Sequence, residues 1–243
     1  MVTGIPHHLS LSSMMAHKSL GNDAALIVVD MQEDFCEPHG ALAVKGGREL
    51  ATGINRLLEL PFKLKIATQD HHPADHCSFA SQHQDAEPFT SSHTIKNPEA
   101  AGDGAEEQTT TLWPDHCIQG TKGADLIPEL DVSKFSQIIK KGEDSRVESY
   151  SAFGPPFRNP AVDMSDLKAT LEHAGIKRVY TCGLAFDFCV KYTAIDAVEA
   201  GFDTYLIEDL TNSVNARNRE GGKKELVTQR VHLITAAELT EGL

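Results

Sequence analysis

Four apolar, β-prone runs in this chain each end at a chemically reactive side chain, and helical stretches separate them. Leu26-Ile27-Val28-Val29 runs into Asp30, and Lys65-Ile66-Ala67-Thr68-Gln69 runs into Asp70-His71-His72. Ile138-Ile139-Lys140 runs into Lys141-Gly142, and Val179-Tyr180-Thr181-Cys182-Gly183-Leu184 runs into Ala185-Phe186-Asp187-Phe188-Cys189. An unbroken β-rich run such as residues 25–30 belongs to a strand covered on both faces. Strands alternating with helices require βαβ units with right-handed crossovers, and so a parallel sheet. The carboxyl ends of parallel strands share one edge, and ligands bind in the crevice there. An acid, an Asp-x-His, a lysine and a cysteine therefore converge on one pocket.

The rest of the chain fits this frame. Residues 47–60 carry Leu50, Ile54, Leu57 and Leu58 on one helical face, and Pro61 closes the segment. Residues 162–174 predict a second amphipathic helix with Met164, Leu167 and Leu171 inward, stopped by Gly175. Residues 187–200 predict a third, and 217–228 a fourth, with strands at 202–208 and 230–234. Residues 71–130 read as irregular, and 97–111 within them as a mobile surface insertion, since a loop that long in a compact domain is usually functional or disordered. The expected architecture is a single α/β domain over residues 24–243, with a doubly wound, six-stranded parallel sheet and helices on both faces. Residues 1–23 read as a disordered N-terminal extension, lacking the apolar core of a signal peptide and the arginines of a transit peptide.

The net charge of −13 argues against a nucleic-acid backbone as partner, because such binding needs clustered positive charge. No run approaches the roughly 20 apolar residues of a membrane span. Cys36, Cys77, Cys117, Cys182 and Cys189 are odd in number in a chain that is not small, which predicts free thiols in a reducing compartment, with the cytoplasm as default. These exclusions do not identify a partner; the crevice at the strand ends calls for a small-molecule substrate, and a homo-oligomer is left open.

Cys189 falls in the opening turn of the helix after the fourth strand, where the helix dipole lowers a thiol pKa toward the nucleophilic thiolate. Free cysteines are also commonly small buried hydrophobes, and that alternative stands for Cys189 on position alone. Asp30 at a strand end can take up the thiol proton and return it to a leaving amine. Lys141 can hold both groups in their anionic forms, or simply form a structural ion pair with Asp30. Asp70, His72 and His116 offer N and O ligands suited to a catalytic Zn²⁺, Fe²⁺ or Mn²⁺. His76 is a candidate fourth ligand or a partner behind the ligands, whereas His71 points to the other side of an extended chain. Phe35, Trp113, Tyr150 and Phe188 can wall a pocket for an aromatic ring, or pack as ordinary core.

Six stretches in this order carry a resemblance. They are Ala25 to Phe35, Ala67 to Pro73, Trp113-Pro114-Asp115-His116-Cys117, Lys140-Lys141-Gly142, Tyr150-Ser151-Ala152-Phe153 and Gly183 to Val190. The chain resembles the nicotinamidases (pyrazinamidases) of the isochorismatase-like cysteine hydrolase superfamily over roughly residues 24–235. The first and last stretches mark the superfamily, and Asp-x-His-Pro with Trp-Pro-x-His marks the metal-binding nicotinamidase branch.

The resemblance implies a triad of Asp30, Lys141 and Cys189, with Lys141 chosen over Lys140 because Gly142 sets the register. It implies a divalent metal on Asp70, His72 and His116, zinc in the first place. It implies an oxyanion hole from the backbone N–H groups of Ala185 and Cys189, with a cis peptide between Leu184 and Ala185. Phe35, Trp113 and Tyr150 would flank a pyridine ring. The implied reaction is hydrolysis of nicotinamide to nicotinate and ammonia through a thioester, a step of NAD salvage. The alternatives are a superfamily amidohydrolase for a carbamoyl or ureido substrate, a silent binding protein on the same fold, and a vinyl ether hydrolase. The metal residues weigh against the first and last of these, and the complete triad against the second.

Overall fold

In a computed structural model, which describes residues 20–102 and 105–241, eight strands and five α-helices follow one another along the chain. The main sheet holds six parallel strands in the order β5-β2-β1-β6-β7-β8. These are β1 (Ala24–Val29), β2 (Leu64–Asp70), β5 (Gln137–Lys141), β6 (Arg178–Leu184), β7 (Asp203–Asn212) and β8 (His232–Ile234). β3 (Ser92–Lys96) and β4 (Glu107–Thr111) form a separate antiparallel arm.

Strand β1 is buried along its whole length because it sits mid-sheet between two helical layers. Its alternate side chains divide between two cores, as a period of two requires. Leu26 and Val28 pack with Ile54 and Leu57 of α1 (Leu50–Leu58) and, at the far edge, with Leu239 of α5 (Ala236–Glu241). Ala25, Ile27 and Val29 pack on the other face with Leu167 and Leu171 of α2 (Leu167–His173), Ala194 and Ala197 of α3 (Lys191–Glu199), and Leu226 of α4 (Arg219–Thr228). The chain builds outward from β1 through β2 to β5, then returns to the other side of β1 to lay down β6, β7 and β8. The reversal falls between β1 and β6, where a doubly wound sheet opens its binding crevice.

The structure differs from the sequence reading at five places. The helix expected from 162 begins only at Leu167. Asp163 has φ +46°, Ser165 is tied by hydrogen bonds to Ala152 and Phe153, and Met164 is exposed rather than inward. The 97–111 insertion is not loop throughout, since 107–111 is strand β4 and pairs with β3. Its alternating Thr-rich run has strand propensity but lacks the apolar residues that would mark it. Strand β7 runs four residues past the predicted end at 208, because the polar Thr211 and Asn212 pair with Gly183 and Leu184 beyond a bulge. Helix α5 was not predicted. At the N-terminus, Leu20 is buried in the core and Asp23 pairs with Arg178, so packing reaches back ahead of residue 24. Residues 1–19 of the proposed extension lie outside the described residues.

Candidate active site

The strand ends that the sequence singles out meet at the switch point, and Lys141 stands at their centre. Strand parity decides between the two lysines. Lys140 projects to the exposed side and meets His71, whereas Lys141 is 3 % exposed and faces the crevice. Its Nζ lies 3.0 Å from Asp30 Oδ2 and 3.4 Å from Cys189 Sγ, donates to the Ser149 carbonyl at 3.1 Å, and pairs closely with Asp70 Oδ1. A buried ammonium is costly unless paired, and two carboxylates offset that cost. Burial opposes the charged form, but Asp30 and Asp70 outweigh it and hold Lys141 well above its ordinary range, so it stays protonated.

Asp30 is fully buried at the end of β1, with φ +45°. Thr68 Oγ1 donates to its Oδ1 at 2.5 Å and accepts from its backbone N–H at 3.1 Å. Burial pushes the Asp30 carboxyl up to about 6, against the pull of Lys141. Cys189 lies in a π-helical turn, Phe186–Val190, that leads into α3. Such single turns are frequent at functional sites. The thiolate expected from the helix dipole is not the resting form. Burial pushes the Cys189 thiol well above its ordinary range, and the attraction of Lys141 only partly offsets this. The resting group is therefore a thiol beside a carboxylate able to take its proton.

Asp70 divides its two oxygens between two clusters. Oδ1 faces Lys141, while Oδ2 lies 3.7 Å from His72 Nε2 and 4.0 Å from His116 Nε2. Burial raises the Asp70 carboxyl, but Lys141, His72 and His116 together outweigh burial and hold it well below the usual carboxylate range. His72 Nδ1 is 2.9 Å from the Gly142 carbonyl, and His116 Nδ1 is 2.8 Å from the Pro114 carbonyl. A carbonyl only accepts, so both Nδ1 atoms carry the hydrogen and both Nε2 lone pairs are left toward Asp70. His72 Nε2 is buried with no hydrogen-bond partner. One oxygen and two imidazole nitrogens within 4.8 Å of one another, one of them orphaned, fit a divalent cation.

His76 does not join this cluster. Its Nε2 is 3.0 Å from the Val147 carbonyl and its Nδ1 is 2.8 Å from Ser78 Oγ, and its ring lies against that of His72, tilted by 33° with centroids 4.0 Å apart. Both nitrogens are engaged, so it buttresses His72 from behind. His71 points away and meets Glu143 at 2.8 Å, as the alternation of an extended chain requires.

A solvent-open cavity lies over the two clusters. Phe35, Trp113, Tyr150 and Phe188 wall it, and Asp70, His116, Ala185 and Cys189 form its floor. The Leu184–Ala185 peptide is cis.

Three contributors escaped the sequence reading. Gln32 grips the backbone of Asp70, since its Oε1 accepts from Asp70 N–H and its Nε2 donates to Asp70 O, both at 2.8 Å. Thr68 shares a strand face with Asp70 two residues on, a parity signal that was available. Glu148 is buried in the cavity wall, and burial raises its carboxyl. No motif marks it, because a loop brings it in.

The Isochorismatase domain family matches residues 24–238. The chain is 40 % identical over 194 residues to a nicotinamidase of Acinetobacter baylyi, covering 80 % of this chain and 83 % of that protein. It superposes on the yeast nicotinamidase bound to the inhibitor nicotinaldehyde with a TM-score of 0.80 at 34 % identity, over 87 % of this chain and 99 % of that one. It superposes on the Pyrococcus horikoshii pyrazinamidase in complex with zinc with a TM-score of 0.67 at 32 % identity, over 88 % of this chain and 99 % of that one.

Proposed function

The chain belongs to the isochorismatase domain family, among the nicotinamidases, and from that premise we propose how its residues hydrolyse nicotinamide to nicotinate and ammonia. The observation that carries the reading is the position of Lys141. It bridges an Asp30–Cys189 pair to a separate Asp70–His72–His116 set beneath one aromatic-walled cavity.

The pyridine ring enters between Phe35, Trp113 and Tyr150, with its carboxamide over Cys189. Cys189 passes its proton to Asp30 as Sγ bonds to the carboxamide carbon. Lys141 holds the developing thiolate and the Asp30 carboxyl in place. Backbone N–H groups of Ala185 and Cys189 face the oxyanion, a contact of about 3 kcal/mol each in comparable sites. The C–N bond breaks as Asp30 returns the proton to the amine, leaving ammonia and a thioester. Water then adds, giving a proton to Asp30, and the C–S bond breaks to release nicotinate and restore the thiol.

Asp70, His72 and His116 would hold a divalent ion, zinc in the first place and Fe²⁺ or Mn²⁺ as alternatives, which when bound would supply a Lewis-acidic anchor for the ring nitrogen. Glu148 lines the same cavity, its Oε1 accepting from Ser149 N–H at 2.8 Å. The compartment we infer is the cytoplasm, which the free state of all five thiols supports. Among the described residues no helix is long and apolar enough to cross a membrane.

The test is ammonia release from nicotinamide by the purified protein, as prepared, after chelation, and after adding back each metal. Loss on chelation and recovery with Zn²⁺, Fe²⁺ or Mn²⁺ is the expected result. A metal-replete, folded protein that releases no ammonia rejects the reading and moves the weight to a carbamoyl or ureido substrate on the same triad.

A further inference from the structure

Tyr150 is the shared wall of two cavities. On one side is the catalytic cavity, bounded by Phe188, and on the other is an outer cavity of about 500 Å³ bounded by β4 and by Tyr192 of α3. The ring is held on both sides, by Phe188 at 5.2 Å between centroids and by Tyr192 at 5.5 Å in a stacked arrangement. Its hydroxyl is held at the edge. Trp113 Nε1 donates to Tyr150 Oη at 3.0 Å, and Oη lies 2.6 Å from Thr110 Oγ1. Thr110 Oγ1 also lies 3.3 Å from the Thr111 carbonyl, which only accepts. Either hydroxyl can donate across the 2.6 Å contact, and with the Thr110 hydrogen on that carbonyl the Tyr150 hydroxyl donates to Thr110. Thr110 is 2 % exposed and comes from the β3–β4 arm, which contributes no residue of the triad or the metal set.

We propose that Thr110 is a positioning residue that sets the ring size the substrate cavity accepts, by pinning Tyr150 as the partition between the two cavities. This rests on the proposed reaction and adds a specificity determinant to it. With the link in place the cavity takes one flat six-membered ring. Without it the partly buried Tyr150 hydroxyl loses its Thr110 partner, and the ring relieves this by tilting into the outer cavity, where solvent reaches it. The two volumes then merge and admit a fused second ring.

Thr110→Val keeps the shape and removes the hydroxyl, and Thr110→Ser keeps the hydroxyl. The measurement is kcat and KM for nicotinamide and for quinoline-3-carboxamide. Thr110→Val should raise the quinoline-to-nicotinamide ratio of kcat/KM by about five- to tenfold, the effect expected of one neutral hydrogen bond. The loss on nicotinamide should fall in KM, with kcat held, and Thr110→Ser should restore the wild-type ratio. A ratio unchanged in Thr110→Val, the same change in Thr110→Ser, or an equal fall in kcat on both substrates overturns the proposal. Trp113 is the sole tryptophan and donates to the same hydroxyl, so its emission reports the link with no turnover. Emission should shift in Thr110→Val and not in Thr110→Ser, and an unchanged spectrum overturns the pinning whatever the kinetics. If the wild type hydrolyses neither amide, the reaction reading fails on its own. The ratio is then read from equilibrium binding of the two carboxamides by Trp113 quenching, where equal ratios in wild type and Thr110→Val overturn the proposal.

Discussion

Asp30 is the base of the proposed reaction only when ionised, and this gives its pH dependence a sign. Burial raises its carboxyl to about 6, so it is a carboxylate above that value and a neutral acid below it. The acid limb of kcat/KM for nicotinamide should fall through about pH 6; a rate flat down to pH 4 would remove Asp30 from the role. Cys189→Ala should abolish turnover while nicotinamide still binds, measured by calorimetry, because the ring walls do not depend on the thiol. Gly142→Ala tests the metal set from behind. A Cβ there meets His72 Cε1 at 2.5 Å, on a backbone with φ +66°, so the imidazole must move. Displaced ligands bind metal weakly, and metal content after dialysis should drop, while full retention would show that His72 is not needed. Asp30, Asp70 and His72 were legible as residue types at strand ends, Cys189 in the helical turn after β6, and His116 in a loop motif. The lysine register became a matter of parity, and Lys141's second carboxylate partner, Asp70, was not legible, because β2–β5 pairing alone brings them together.

At the scale of elements, the site depends on β1 and β6 lying close enough for their ends to share a pocket. Gly183 is where this is tightest. A Cβ there meets the Val29 carbonyl at 2.2 Å, with φ +107°. Gly183→Ala should therefore destabilise by more than about 1 kcal/mol, read as a lower denaturation midpoint. Gly221, exposed in α4 with open space around its Cβ position, is the control. Gly221→Ala should stabilise by about 0.5–1 kcal/mol, through helix propensity alone. Strand and helix existence was readable wherever apolar periodicity was strong, as in β1, β6 and α1. The β3–β4 arm was not readable, because its strands are short, polar and stabilised by pairing rather than by burial.

At the scale of the whole molecule, two segments far apart in the chain, the end of β2 with Asp70 and His72 and the loop carrying His116, form one buried set, so metal binding and folding are coupled. An ion that binds the native set and not the unfolded chain raises stability by about 2.7 kcal/mol at a concentration a hundredfold above its Kd. Chelation should lower the unfolding temperature and reconstitution should restore it; an identical melting curve with and without metal would place the ion outside these residues. The order of reactive strand ends determined by itself that this chain is a doubly wound α/β domain with a thiol, an acid, a lysine and an Asp-x-His on one edge. That follows because parallel strands must share a carboxyl edge and because β and helical periods differ in sequence. Tertiary structure alone decided that Asp70 serves both clusters, that His76 buttresses rather than ligates, that burial keeps Cys189 a thiol, and that an arm far from the triad holds Tyr150. Each of these depends on a distance between segments or on the depth of burial around a group, and neither quantity is written in the local pattern of a sequence.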